Sequence, residues 1–203
     1  MNTSIEAVVF DFGNVLVRLD RLRICSHLSN HSPLSPGDIC SRIYDSDLEY
    51  DSETGKYDSR EYFRRIKQRI QGNHGWTYEQ FRSEFKDGFE LNPEGMEALQ
   101  AASERKRVFI LSNISYLHAL RLFEHEDLVA LPEQHIFSFK VGAMKPDPKI
   151  WEAMLRMGSL EARQCLYIDD IKEYCEAAER IGFNSIHYQL GTTRLMEELS
   201  QWL

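Results

Sequence analysis

Three short apolar runs along the chain end abruptly in side chains that can do chemistry. The runs and the residues that follow them are Ala7–Phe10 before Asp11, Arg107–Leu111 before Ser112 and Asn113, and Cys165–Ile168 before Asp169 and Asp170. Short uninterrupted apolar runs are typical of parallel strands that are buried on both faces. Because ligands bind at the carboxyl ends of the strands in open α/β sheets, we expect the three endings to meet at one site.

Helical patterns lie between and after these strands. Proline at a helix start and glycine after a helix end mark several of their boundaries. The predicted elements are helices at Pro93–Arg105, Pro148–Met157 and Tyr174–Ile181 with Gly182 as C-cap, a further strand at Asn184–Tyr188, and a final helix within Thr193–Leu203. The alternation of strands and helices predicts an α/β fold with a doubly wound parallel sheet.

The segment between the first two strands is far longer than a simple crossover needs, and a long structureless loop is improbable in a compact domain. Phe63, Ile66 and Ile70 recur at helical spacing, as do Phe81, Phe85 and Phe89, and we expect these aromatics to form a core rather than a base-stacking surface. We therefore predict that residues 1–18 and 93–203 form the α/β core and that residues 19–92 form an all-helical cap.

Charge and composition exclude several classes of partner. The chain has 203 residues, of which 42% are hydrophobic and 28% charged, as in ordinary globular proteins. Its formal net charge of −8 argues against nucleic acid as the main partner. No apolar run approaches the roughly 20 residues of a membrane span, and no secretory signal is evident, so we expect no membrane partner and a cytoplasmic location. A small-molecule substrate fits best.

The four cysteines show no metal-ligand spacing and are too sparse to staple a chain of this length. They are Cys25, Cys40, Cys165 and Cys175. We expect reduced thiols that are mostly buried.

The polar residues at the strand ends suit phosphoryl chemistry. A lone aspartate after a strand is usually a turn or cap residue, but Asp11 is accompanied by Asp169, Asp170 and Lys145. Mg²⁺ commonly takes one or two carboxylates together with water and substrate phosphate, which suits Asp11 and Asp170 as ligands. With a metal and a lysine neutralising the phosphoryl oxygens, a carboxylate can attack phosphorus and form an aspartyl-phosphate.

Four motifs in order give the chain a family resemblance over nearly its whole length. They are Val9-Phe-Asp-Phe-Gly-Asn-Val-Leu16, Leu111-Ser-Asn113, Lys145-Pro146 and Tyr167-Ile-Asp-Asp170. Each motif alone is weak, but together they resemble the haloacid dehalogenase superfamily, phosphatase type, with a Rossmann-like core and a helical cap inserted after the first strand. The Phe-Asp-X-Gly-Asn pattern is similar to that of the sugar-1-phosphate phosphatase branch.

The resemblance implies a role for each motif residue. Asp11 would be the nucleophile and a Mg²⁺ ligand, the backbone carbonyl of Gly13 a second ligand, and Asp170 the second carboxylate with Asp169 in support. Ser112, Asn113 and the nearby backbone would hold the phosphoryl group, and Lys145 would bridge it to Asp11. The cap would close over a small phosphorylated substrate, with Tyr44, Glu53 and Tyr57 as candidates to line the pocket.

Two departures from the family pattern bear on chemistry. Most phosphatases of the family carry an aspartate two positions after the nucleophile as general acid and base, where this chain has Gly13. A positioned acid or base is typically worth about 10²–10⁴ in rate, so we expect a preference for good leaving groups. Ile171 and Tyr174 replace residues that are usually small, polar or acidic, which predicts loose metal binding or compensation by Glu173.

Two other functions stay open at this stage. A 2-haloacid dehalogenase would use Asp11 to displace halide from carbon and would need no metal, although the retained Asp169-Asp170 pair argues against it. A non-catalytic binding protein on the same fold would bind ligand without turnover. The sequence names neither the substrate nor the oligomeric state.

Overall fold

The structure is a computed structural model that describes residues 4–203, and within this range it contains seven strands and twelve α-helices. The strands are β1 (Ala7–Phe10), β2 (Val17–Leu19), β3 (Phe89–Leu91), β4 (Arg107–Ser112), β5 (Gln134–Phe137), β6 (Cys165–Asp169) and β7 (Asn184–His187). The helices are α1 (Arg21–Leu28), α2 (Pro36–Tyr44), α3 (Asp47–Glu53), α4 (Ser59–Arg69), α5 (Tyr78–Lys86), α6 (Pro93–Ser103), α7 (Tyr116–Leu122), α8 (Glu126–Ala130), α9 (Ser138–Val141), α10 (Lys149–Gly158), α11 (Lys172–Arg180) and α12 (Leu195–Leu199). None of the helices in residues 4–203 combines the length and the apolar character needed to cross a membrane.

Five strands form one parallel sheet in the order β5-β4-β1-β6-β7. The central strand β1 pairs with β4 on one side and β6 on the other, and Phe10 lies level with Ile110 and Ile168. The carboxyl ends of β1, β4 and β6 therefore meet at one edge of the sheet, as the sequence predicts. Ligand sites of open α/β sheets lie at such an edge.

The sheet is covered on both faces, which makes its core a doubly wound α/β structure as predicted. On β1, Val8 and Phe10 belong to one apolar cluster, whereas Ala7 and Val9 belong to the cluster on the opposite face. This alternation follows from the two-residue period of a strand. Helices α6 and α12 supply the first cluster, and α10 and α11 supply the second, which includes the buried Trp151.

The predicted strands agree with the structure to within one residue, and the predicted helices are present with shifted ends. The final helix is shorter than predicted, because it covers only Leu195–Leu199. Strand β5 and helices α7 to α9 lack a predicted counterpart. The four residues of β5 include the polar Gln134 and His135, so their pattern resembles neither a buried run nor a clean alternation.

Helices α1 to α5 follow one another between β1 and β4, and each begins at a side-chain cap. The capping residues are Asp20, Ser35, Ser46, Asp58 and Thr77. Each cap side chain accepts a hydrogen bond from a backbone N–H in the first turn, which otherwise lacks a partner. These local signals explain why a segment of this length divides into short helices.

The aromatic residues of this helical segment form its core, as predicted. The buried side chains of Trp76, Phe81 and Phe85 pack against one another and against Phe63, with the ring centroids of Phe81 and Phe85 5.0 Å apart. Phe89 departs from the prediction, because helix α5 ends at Lys86 and Phe89 begins β3. Strand β3 pairs antiparallel with β2, so a two-stranded ribbon flanks the helices.

The expectation that all four cysteines are reduced is wrong for one pair. Cys25 of α1 and Cys40 of α2 form a disulfide, and their Cα atoms are 5.7 Å apart. Sequence spacing does not show that α1 and α2 pack side by side. Cys165 and Cys175 are free and buried, as expected.

Gly95 of α6 packs directly against the backbone of the loop after β1. A Cβ at this position would lie 1.9 Å from the Val15 carbonyl oxygen, whereas a Cβ at Gly37, also in the first turn of a helix, would meet only Ser35 Oγ at 4.0 Å. We expect Gly95→Ala to lower the free energy of unfolding by about 1–3 kcal/mol through backbone displacement. Gly37→Ala should be neutral or slightly stabilising. Urea denaturation of both variants checks this, and equal stability of the two would contradict the packing described.

Candidate active site

The carboxyl ends of β1, β4 and β6 bring the predicted site residues together. Asp11 follows β1 directly, and its N–H donates to the Ile168 carbonyl of β6 at 2.8 Å, which fixes the backbone at the sheet edge. The residue is 6% exposed. Asp11, Asp169 and Asp170 each place one carboxylate oxygen within 4.8 Å of the others. The three strand endings thus form the floor of a single acidic site.

Lys145 is the buried cation of this floor. Its Nζ lies 2.9 Å from Asp11 Oδ1 and 2.7 Å from Asp169 Oδ2, and the residue is 3% exposed. The ring of Tyr174 lies beneath the ammonium, with its centroid 5.0 Å from Nζ. Burial lowers the pKa of Lys145, but the two carboxylates outweigh this effect and raise it, so the ammonium stays charged.

Asp169 holds Lys145 in place. Its Oδ2 accepts hydrogen bonds from Lys145 Nζ and from the Tyr167 hydroxyl, and its Oδ1 accepts from the Ile171 N–H at 2.8 Å. Both oxygens are therefore occupied, and the residue is fully buried. Tyr167 and Asp169 lie two residues apart on β6, so their side chains share one face of the sheet.

Asp11 and Asp170 are the carboxylates that fit a metal ion. Asp11 Oδ1 is buried yet receives no hydrogen bond of good geometry from residues 4–203, despite its proximity to Lys145. Asp170 is partly open and accepts one hydrogen bond at Oδ2, from Asn14 Nδ2 at 3.0 Å. Oxygen donors of this kind suit Mg²⁺. Asp169 is the most hydrogen-bonded of the three carboxylates, and Gly13 borders the same cavity.

Ser112 and Asn113 lie at the end of β4, opposite Lys145. Asn113 Nδ2 donates to the Lys145 carbonyl at 3.0 Å, and the Lys145 N–H donates to Asn113 Oδ1 at 2.8 Å. The Asn113 amide is thus committed to fixing the lysine backbone. Ser112 is 3% exposed, and its hydroxyl makes only a 3.3 Å hydrogen bond to the neighbouring Asn113 carbonyl. That hydroxyl can turn toward a ligand at low cost.

A cavity of about 340 Å³ lies between this floor and the helical segment. Its roof is polar and comes mainly from α1 and from α2 and α3, with Arg21, Tyr44, Ser46, Glu49, Tyr50 and Glu53 among the lining residues. Arg21 forms an ion pair with Glu49 at 3.3 Å. The Tyr44 hydroxyl is buried without a hydrogen-bond partner in the described part of the chain. Tyr57 lies outside this cavity, because it lines a separate cleft and donates to Asp51.

Burial raises the pKa of four carboxyl groups that border this cavity. It raises the pKa of Asp11 to about 7, with Lys145 opposing the shift, and it raises that of Asp170 as well. On the roof, burial raises the pKa of Glu49 to about 7 and that of Glu53 to about 8. The raised pKa values favour the uncharged carboxyl forms, and a cation bound among these groups would favour their ionised forms.

Ile171 and Tyr174, which depart from the family pattern, both border the cavity. Ile171 is 39% exposed and borders the cavity, and its backbone N–H supports Asp169. The Tyr174 hydroxyl lies 3.5 Å from Asn113 Nδ2. Glu173 is exposed and does not border the cavity, so it offers no compensation at the metal site.

Comparison with known proteins assigns the family. A model of the haloacid dehalogenase-like hydrolases matches residues 5–182. The chain therefore belongs to the haloacid dehalogenase-like hydrolases, in agreement with the resemblance carried by its four motifs.

Individual relatives share part of the sequence or the fold. Phosphatase MT3486 of Mycobacterium tuberculosis (strain CDC 1551 / Oshkosh) is 32% identical over 95 residues, which make up 46% of this chain and 44% of that relative. The match thus spans less than half of the relative's length. The family enzyme bt-2542 of Bacteroides thetaiotaomicron is 20% identical with a TM-score of 0.81, and the match covers 93% of this chain and 95% of that one.

The similar solved structures include an enzyme in complex with phosphate and a haloacid dehalogenase. The bt-2542 enzyme has also been crystallised in complex with magnesium and inorganic phosphate, in a structure that matches at 18% identity and a TM-score of 0.76 over 94% of this chain and 97% of that one. The L-2-haloacid dehalogenase of Xanthobacter autotrophicus is 18% identical with a TM-score of 0.68 over 98% of this chain and 84% of that one. At these identities the likeness shows the fold, and the chemistry must be argued from the site.

Several residues that line the cavity could not be predicted from the sequence. Arg21, Glu49 and His118 reach the cavity only because the helices pack over the sheet edge. Tyr167 has a usable signal, since it lies two positions before Asp169 in a strand. Asn14 stands within the first motif, but its hydrogen bond to Asp170 joins residues 156 positions apart.

Removal of Lys145 tests the buried charge arrangement of the floor. Lys145→Met keeps the side chain's length but leaves Asp11 and Asp169 buried without their cation. We expect a loss of about 3–5 kcal/mol in the free energy of unfolding. The control Lys149→Met changes a lysine whose side chain is 74% exposed and should stay within about 0.5 kcal/mol of wild type. Urea denaturation measures both, and similar small effects would show that Lys145 does not balance these carboxylates.

Proposed function

We propose that the protein is a Mg²⁺-dependent phosphomonoester hydrolase that acts on a small phosphorylated metabolite through a phosphorylated Asp11. The observation that carries this proposal is the floor itself, in which a buried Asp11 oxygen without a good hydrogen bond stands next to a charged Lys145 and two further aspartates. The family assignment and the phosphatase relative support the same reaction class.

Each floor residue has a task in the reaction. One oxygen of Asp11 attacks phosphorus and displaces the leaving oxygen, after which water attacks the aspartyl-phosphate and frees Asp11 as phosphate departs. Lys145, the Ser112 hydroxyl and the backbone at Asn113 hold the phosphoryl oxygens. Asp169 keeps the Lys145 ammonium aimed at the reacting group through the 2.7 Å hydrogen bond.

Asp11, Asp170 and the Gly13 carbonyl would hold the Mg²⁺ ion, with Asp169 acting behind them through Lys145. When bound, the ion would supply positive charge to the phosphoryl oxygens as negative charge builds up on them. Asp11 Oδ1 accepts no hydrogen bond of good geometry within residues 4–203, and Asp170 accepts its side-chain hydrogen bond at Oδ2, which supports these two carboxylates as ligands.

We further propose that residues 19–92 act as a cap that selects the substrate. The cavity volume of about 340 Å³ is at the small end of the usual range for ligand sites, about 300–1,000 Å³. Its roof offers hydroxyl, carboxyl and guanidinium groups from Tyr44, Glu49 and Arg21, which suit a ligand with several hydroxyl groups. A sugar phosphate is therefore the class of substrate to examine first.

Two specific features favour phosphate chemistry over dehalogenation or binding alone. A dehalogenase needs no metal, yet Asp170 stands beside Asp11 with an oxygen available and a supporting hydrogen bond from Asn14. A non-catalytic binding protein has no need for a nucleophile whose oxygen is buried beside a lysine. Halide release in the presence of chelator, or tight ligand binding without turnover, would point to these alternatives.

Replacement of the nucleophile tests the reaction. We expect wild-type protein to release phosphate from p-nitrophenyl phosphate and from sugar phosphates with Mg²⁺ but not with chelator. Asp11→Asn should lower kcat by at least about 10³-fold, because the amide is a poor nucleophile. The matched control Asp147→Asn changes an exposed aspartate after the same lysine loop and should keep wild-type turnover. Full activity of Asp11→Asn, or the absence of turnover from folded wild type, would refute the proposal.

Substitution of Asn14, which donates a hydrogen bond to Asp170, tests the proposed metal site separately. Asn14 has a left-handed backbone with φ of 54°, so Asn14→Gly removes the amide at no conformational cost. We expect the Mg²⁺ concentration for half-maximal activity to rise about 10–100-fold, because Asp170 loses its orienting hydrogen bond. Gln71→Gly is the control, since Gln71 is exposed and has φ of 58°. A Mg²⁺ titration of activity decides, and an unchanged midpoint would remove Asn14 from the metal site.

A further inference from the structure

Cleavage of an alkyl phosphate ester needs a proton donor that the floor of the site does not supply. The leaving oxygen of an alkyl or sugar ester departs as a strongly basic alkoxide unless a positioned acid protonates it. Gly13 has no side chain, and the Lys145 ammonium is held by two carboxylates. One oxygen of Asp170 accepts from Asn14, and the other is reserved for the proposed metal ion. Among the described floor residues, none is a free acid.

The direction of attack locates the missing group. In phosphoryl transfer the attacking and leaving oxygens lie roughly in line on opposite sides of phosphorus. Asp11 attacks from the floor, so the leaving oxygen points toward the roof of the cavity. The acid must therefore come from a roof side chain of the helical segment.

The Ser46 hydroxyl caps α3 and Tyr50 is 60% exposed, which leaves three acidic or hydroxyl groups of the roof to compare. Burial raises the pKa of Tyr44 far above its usual range, so its hydroxyl can donate a hydrogen bond but cannot cycle between acid and base. Glu49 is engaged with Arg21 in an ion pair of 3.3 Å. Glu53 borders the cavity and makes no hydrogen bond or ion pair with any residue in 4–203. Its carboxyl group is the one left for substrate.

Helix α3 explains the position of Glu53. Glu49 and Glu53 are four residues apart and so share one face of the helix, and both border the cavity. Asp51 lies on another face of the helix, where its Oδ2 accepts hydrogen bonds from Lys56 Nζ at 2.7 Å and from the Tyr57 hydroxyl at 2.6 Å. Glu53 is the last residue of α3, and it borders the cavity close enough to Lys145 and Asp11 of the floor for their charges to affect its pKa.

We propose that Glu53 is the general acid and base of this hydrolase, in place of an acid at Gly13; this inference rests on the proposed phosphatase function. In the first step the Asp11 oxygen bonds to phosphorus, the ester P–O bond breaks, and the Glu53 carboxyl proton passes to the leaving oxygen. In the second step the Glu53 carboxylate takes a proton from the attacking water, the P–O bond to Asp11 breaks, and phosphate leaves with Glu53 protonated again.

The charges around Glu53 suit this cycle. Burial, with the neighbouring Glu49, raises the pKa of Glu53 to about 8 against the opposing effect of Arg21 and Lys145. The carboxyl group thus carries its proton near neutral pH before the reaction. A pKa close to the operating pH is the optimum for a group that must both give and accept a proton.

Leaving-group dependence tests the role of Glu53. Glu53→Gln keeps the shape of the side chain but cannot transfer the proton. With Mg²⁺ present, we expect its kcat/KM to fall about 10²–10⁴-fold for an alkyl phosphate and less than about tenfold for p-nitrophenyl phosphate, whose leaving group needs no acid. For p-nitrophenyl phosphate, kcat should fall more than kcat/KM, because hydrolysis of the aspartyl-phosphate then lacks its base. Glu53→Asp should regain part of the alkyl phosphate activity.

Two controls separate this role from a structural one. Glu79→Gln changes a cap glutamate whose side chain is 75% exposed and should match wild type on both esters. Glu49→Gln removes a second cavity carboxyl and should affect both esters by the same factor. Equal losses for the two esters in Glu53→Gln, or wild-type kinetics, overturn the role of Glu53 while the phosphatase stands. A wild type without Mg²⁺-dependent turnover refutes the phosphatase and this inference together.

Discussion

The buried contact of Lys145 with Asp11 and Asp169 is the interaction on which the site depends. Charges of this kind are costly to bury unless they are paired, and here one ammonium serves two carboxylates while Asp170 stands beside them. When all three are ionised, these carboxylates exceed the single lysine by two negative charges. A divalent cation would balance that excess, so Asp11, Lys145 and the two neighbouring aspartates must be considered as one unit.

The fold follows from the sequence wherever a local pattern is strong. Apolar runs mark β1, β4 and β6, and their polar endings indicate the edge where the site lies. The pattern fails where position depends on distant packing. Phe89 continues a helical spacing yet pairs with Leu19 in the ribbon, and Cys25 meets Cys40 only because α1 and α2 lie side by side. No periodicity within a segment contains such information.

The same division holds within the site. Asp11, Ser112, Asn113, Lys145 and Asp170 could be predicted because the ends of parallel strands and the loop behind them converge on one edge of the sheet. The different surroundings of the neighbouring Asp169 and Asp170 could not be predicted. Asp169 shares a face with Tyr167 and is enclosed by hydrogen-bond donors, whereas Asp170 turns toward the cavity. The roof residues Arg21 and Glu49 depend on the packing of helices over the sheet, which motifs in the strands do not specify.

The space at Gly13 bears on why an acid would come from the roof. A Cβ at Gly13 would meet no atom within 4 Å, so packing does not forbid a side chain there. An acid fixed at that position would belong to the floor and would be present whether or not the roof covers the substrate. Glu53, under our proposal, would reach the leaving oxygen only when α3 lies over the floor. Proton transfer would then be coupled to closure of the cavity, and a nucleophile exposed to bulk water would lack the acid that bond cleavage requires.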